Sequence, residues 1–181
     1  MLSGFQENAE RRWMTDRFST FAKKLAAVRH ELAKQRLDGM LLTRTDRFQG
    51  EEVRKQDEYL AWLTGFTGSA GVALILADTA VVATDSRYAV QIKQQVDPAL
   101  YQTIDTADQS LAEWLAACPG KAEVKIGFDS WSVTCEGQKK LPTLLGEAHV
   151  VWQCVSIHPV AAVWAWLLYT SDAADDDQCV D

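Results

Sequence analysis

Along the chain the spacing of apolar positions changes several times, and each change marks an element. Phe18, Phe21, Leu25, Val28 and Leu32 recur by three and four, the stripe of a helix with one buried face. Lys23, Lys24, His30 and Lys34 lie off that stripe. Thr15 or Asp16 can cap the start of this helix, and Asp38-Gly39 is expected to end it in a left-handed turn. Met40 to Thr43 then reads as a short buried strand. Tyr59 to Leu63 reads as an apolar helix. Val72 to Ala77 and Val81 to Thr84 are continuous apolar runs separated by Asp78-Thr79, which predicts a hairpin with both strands largely buried.

The second half alternates in the same way. Tyr88, Ile92 and Val96 share one helical face, with Gln91, Gln94 and Gln95 on its polar outer surface, and Asp97-Pro98 stops it. Leu100 to Ile104 alternates as a strand with one solvated face. Leu111, Trp114, Leu115 and Cys118 mark a helix closed by Pro119-Gly120, and Val124 to Phe128 is a strand. Asp129-Ser130 is expected to open a helical stretch carrying Leu141, Leu144 and Leu145, with Pro142 as a kink site. His149 to Val155 is the last strand. Six strands with helices between most of them predict an α/β fold: a mixed six-stranded sheet with helices on both faces. Residues 1–14 are expected to be a flexible leader and 15–157 the domain. Residues 170–181 form an acidic tail outside it, either a translated cloning junction or a disordered terminus.

Composition narrows the function classes. Of 181 residues, 48% are hydrophobic and 24% charged, enough for one real core. A formal net charge of −7 with no basic run argues against nucleic acid as a partner. Cys118, Cys135, Cys154 and Cys179 form no C-x-x-C pair, so neither a zinc knuckle nor a redox pair fits, and isolated thiols suit a reducing compartment. The first residues lack the order of a signal peptide, and the run from Val160 to Tyr169 is short of the ~20 residues that span a bilayer. A cytoplasmic protein without membrane partners is therefore expected. His30, His149 and His158 have no partner at ligand spacing, and there is no G-x-S-x-G elbow or phosphate-binding glycine motif. No catalytic residue and no metal ligand is assigned.

The stretch that organises the chain is Gly65-Phe-Thr-Gly-Ser-Ala-Gly71, followed by the hairpin and by Thr84-Asp-Ser-Arg-Tyr88. From the residues alone, Asp85 and Arg87 read as an ion pair bracing the strand end. This two-part pattern resembles the creatinase-type N-terminal domain of Xaa-Pro aminopeptidases (aminopeptidase P). The resemblance runs from about residue 16 to 164. It covers His158-Pro159-Val160 and Val163-Trp164, with Ala161 where the family pattern has Asp. In the loop after the first strand, Asp46, Gln49 and Glu51 match the family's Asp-x-His-Gln-x-Glu-Tyr, but Phe48 and Glu52 replace its His and Tyr, so no role is assigned there.

Such a resemblance implies an RNase H-like mixed sheet and residues 158–169 as the start of a linker to a catalytic domain. That domain would hold two divalent metals, usually manganese, leaving this chain without a cofactor of its own. It also implies a proline-containing peptide as substrate, a homodimer in the full-length enzyme, and Arg87 as a substrate-binding residue whose guanidinium meets a peptide carboxylate or carbonyl. The alternative is a stand-alone binding module with this fold and no peptidase activity.

Overall fold

The structure is a computed structural model that describes residues 20–50, 52–118, 123–146 and 150–175, with side chains to residue 167 in the last segment. Thr15, Asp16, Phe18, His149 and Pro119-Gly120 lie outside the described residues, as do residues 1–14 and 176–181. Helix α1 is described over 20–34, and Leu25, Val28 and Leu32 are buried along the predicted stripe. It ends earlier than expected. Arg36, not Gly39, takes the left-handed conformation (φ 58°). Leu37 N–H donates to Leu32 O and Arg36 N–H to Ala33 O, the bond pair of a Schellman cap. The reason is Leu37, which must turn back onto Leu32 in the core. Gly39 is instead inside a strand, where a Cβ would lie 2.5 Å from Ile75 O.

Six strands form one sheet: β1 (Gly39–Thr43), β2 (Val72–Leu76), β3 (Ala80–Thr84), β4 (Gln102–Asp105), β5 (Val124–Phe128) and β6 (Val150–Cys154). Their order is β4-β3-β2-β1-β5-β6. β1 to β3 pair antiparallel, while β4, β5 and β6 each join their neighbour in parallel. Alternate residues of β1 to β3 enter two separate cores. Met40, Leu42, Ala73, Ile75, Ala80 and Val82 face one side, where α1, α2 (Tyr59–Thr64) and α3 (Ala89–Gln95) pack. Leu41, Leu74, Val81 and Ala83 face the other, under α4 (Leu111–Ala117) and α5 (Cys135–Leu144). Burial on both faces is why these strands read as unbroken apolar runs.

Local chemistry fixes the helix ends. Ser110 and Glu113 make a full capping box on α4. α5 starts later than Asp129-Ser130: Asp129 Oδ1 accepts from Trp131 N–H in a turn, and Thr134 caps the helix by accepting from Gly137 N–H. Leu141 and Leu145 are buried, but Leu144 points outward at 40% exposure. Pro142 lies inside α5, near its end.

Residues from Pro159 onward form helix α6 (Pro159–Asp175). Val160 and Val163 enter the first core, and Trp164 stacks on Trp62 with ring centres 5.3 Å apart. Lys24 Nζ lies 4.5 Å from the same Trp62 ring and donates to Trp62 O. Truncating both valines (Val160→Ala with Val163→Ala) should cost roughly 3–5 kcal/mol from lost burial and residual cavity. A denaturant titration showing less than about 1 kcal/mol would mean that α6 is not docked on this core.

Candidate functional site

The strand registers gather the loops at one edge. Thr43 pairs with Val72, Val72 with Ala83, Thr84 with Asp105 and Phe128 with Cys154. The carboxyl ends of β1, β3, β4, β5 and β6 therefore lie together with the start of β2. In sheets built this way, the crevice beyond the strand ends is where ligands are met.

The glycine-rich loop at this edge is folded around Phe66, which is fully buried. α2 ends at Gly65 in the left-handed region (φ 81°), with its N–H on Ala61 O. A Cβ on Gly68 would fall on the Phe66 ring and 2.9 Å from Tyr88. Phe66 and Tyr88 pack edge to face, ring centres 5.9 Å apart. The loop is tied to α3 by Thr67, whose N–H donates to Gln95 Oε1 at 2.9 Å and whose hydroxyl accepts from Gln91 and Gln95. Gln91 and Gln95 thus hold the glycine loop rather than only facing solvent. Nothing in their spacing distinguishes them from the exposed Gln94.

Beyond β3, Asp85 caps a single 3-10 turn (Ser86–Tyr88) by accepting from Arg87 N–H. Arg87 Nε and Nη2 also donate to Asp85, at 3.0 and 2.6 Å. This fork holds the Asp85 carboxyl below its usual range and raises Arg87 further. Arg87 remains 71% exposed. Ser69 Oγ and Tyr88 OH are hydrogen-bonded, which lowers the Tyr88 phenol, and Thr84 donates to Ala70 O. The hairpin end and the glycine loop are therefore one rigid unit.

A cavity of about 550 Å³ opens at the same edge, between the β1, β5 and β6 ends; Arg87 does not line it. Its wall includes Asp46, Asp57, Tyr59, Asp129, Trp131 and His158. Desolvation pushes the Asp46 carboxyl up, but the backbone N–H groups of Phe48, Gly50, Arg54 and Gln49 outweigh it and hold it below the usual range. His158 stacks on Tyr59 at 4.2 Å, and its Nδ1 accepts from Ala161 N–H, so it caps α6. Burial lowers its pKa to about 4 despite the nearby Asp129. His30 is exposed on α1. Among the described residues no group of three or more His, Cys, Asp or Glu side chains could hold a metal ion, so a dinuclear centre does not fit them. No described helix is long and apolar enough to cross a membrane.

A mixed six-stranded sheet with a two-sided core, its loops converging on one edge, defines the class. The chain belongs to the Creatinase/Prolidase N-terminal domain family, whose model matches residues 24–162. Among its relatives, Xaa-Pro aminopeptidase 2 of Rattus norvegicus is 37% identical over 106 residues, which is 59% of this chain and 16% of that protein. The Homo sapiens Xaa-Pro aminopeptidase 2 is 29% identical over 140 residues, 77% of this chain and 21% of that protein. The chain thus spans about a fifth of the length of the curated relatives it matches.

Solved structures are similar as well, two of them as follows. The X-prolyl aminopeptidase from Caenorhabditis elegans, described as a cytosolic enzyme with a di-nuclear active site, has a TM-score of 0.71 at 25% identity. The match covers 81% of this chain and 26% of that one. The N-terminal domain of the cytoplasmic peptidase PepQ from Mycobacterium tuberculosis has a TM-score of 0.57 at 30% identity, over 78% of this chain and 98% of that one.

The half-buried His158 is expected to make the fold acid-sensitive. His158 is neutral in the folded chain down to about pH 4 but takes up a proton near its ordinary value of 6.5 when unfolded. Its stability contribution is present above pH 6.5 and is lost as pH falls towards 4, up to about 3 kcal/mol. His158→Asn keeps a cap acceptor for Ala161 without this titration. Urea unfolding across that range should show the wild type losing stability relative to the variant; parallel profiles would show that His158 is not held neutral by the fold.

Proposed function

We propose that this domain is the non-catalytic N-terminal part of an Xaa-Pro aminopeptidase, an enzyme that removes an N-terminal residue preceding proline. In such an enzyme it would pack against a separate catalytic domain carrying two divalent metals, usually manganese. There it would wall one side of the substrate cleft and contribute to a homodimer. The observation that carries the reading is the presentation of Arg87. Its Nε and Nη2 are held by Asp85 just beyond a fully buried strand, while the side chain remains 71% exposed. A planar, permanently charged donor held this way suits a peptide carboxylate or carbonyl.

On this reading the purified chain with manganese should not release the first residue of an Xaa-Pro peptide. Turnover that survives repurification and is abolished by a chelator would contradict it. Arg87 is tested in a chimera joining residues 20–164 to the catalytic domain of a full-length relative. Arg87→Ala should lower kcat/KM roughly tenfold to hundredfold with folding intact, the effect of losing one charged hydrogen bond. Arg87→Lys should recover little. If Arg87→Ala and Asp85→Ala lower the melting temperature equally and neither changes kinetics, the arginine only braces the hairpin.

A further inference from the structure

The cavity between the β1, β5 and β6 ends holds a carboxyl group that the fold does not explain. Asp57 is 7% exposed, and its Oδ2 is buried with no hydrogen-bond partner among the described residues. A buried acceptor left unpaired is costly, so fold stability alone does not account for it. The other acids of this wall differ in kind. Asp46 and Asp129 accept backbone N–H groups of their own loops. Asp57 does not.

The surroundings indicate what Asp57 would receive. Burial raises the Tyr59 phenol, Asp57 and Asp129 add to this while Arg47 opposes it, and His158 stacks on the same ring. With Asp46, three carboxyl groups face one basic side chain, Arg47. Trp131, 71% exposed, and Tyr59 supply aromatic surface to the same cavity. A buried acceptor, excess negative charge and aromatic faces together favour a planar, weakly hydrated cation over a compact ammonium.

We propose that this cavity binds a guanidinium group, with Asp57 as its buried acceptor and Trp131 as the aromatic face at the cavity wall. The assignment rests on the cavity alone and stands or falls independently of Arg87 and of the peptidase reading. The group could be carried by a free small molecule or by an arginine side chain of a peptide.

The test is calorimetric titration of the 181-residue chain with agmatine, with the tripeptide Gly-Arg-Gly and with n-butylamine. Agmatine should bind saturably with millimolar affinity or better, and n-butylamine at least about tenfold more weakly. Equal affinity for agmatine and tripeptide means that the guanidinium alone is read. Tighter tripeptide binding means that a peptide is the source. Asp57→Asn should weaken agmatine at least about tenfold, and Asp129→Asn should weaken it by less. The matched charge change Glu136→Gln on exposed α5 should leave binding intact.

Because Asp57 is unpaired in the free chain, Asp57→Asn should also raise the melting temperature. A fall in melting temperature, or failure of the variant to fold, would mean that Asp57 has a structural partner and would overturn the proposal. Absence of saturable agmatine binding at millimolar concentration, or binding unchanged by Asp57→Asn, would do the same.

Discussion

The structure depends on the burial of β1, β2 and β3 on both faces. Every residue of β3 is buried, and β1 and β2 are buried except at their termini. Such strands cannot carry a charged side chain along their length, because the desolvation cost would have no compensating partner. Polar chemistry is driven off the sheet to the ends of the strands. The same constraint explains why Asp46, Asp57, Asp85 and Asp129 all lie in connections beyond the strands rather than within them.

The edge is held by packing as much as by polar contacts. Phe66 is a large side chain with no exposure, placed in a loop whose glycines leave room for its ring. Around it, Tyr88 seals one side, Thr67 is clamped by Gln91 and Gln95, and Ser69 meets Tyr88. Arg87 therefore projects from a fixed platform. A side chain held by its own backbone turn and a bidentate carboxylate has little conformational entropy left to lose.

Helix α6 shows the opposite balance. Its entry is governed by one residue with two tasks, since His158 both caps the helix and stacks on Tyr59. Val160, Val163 and the Trp62–Trp164 pair then join the helix to the domain core. A half-buried histidine held neutral at such a junction couples helix docking to pH. It also lies beside the cavity in which Asp57 is unpaired, so the acid-sensitive seam and the polar cavity share a wall.

By itself the sequence determined the alternation of elements, the six strands, the two-sided burial of the hairpin and the glycine loop leading to Thr84-Asp85-Ser86-Arg87-Tyr88. These are local properties: period two against period three and four, turn residues, and long apolar runs. It did not determine where α1 stops, because the choice of Arg36 over Gly39 follows from Leu37 returning to Leu32 in the core. Nor did it separate Gln91 and Gln95 from Gln94, or mark Asp57 among the charged residues of its loop. Which polar group is partnered and which is left alone depends on residues distant in the chain that meet only when the sheet has formed. Asp57, Asp129 and His158 come from three different connections, and only the register of β1, β5 and β6 brings them to one cavity.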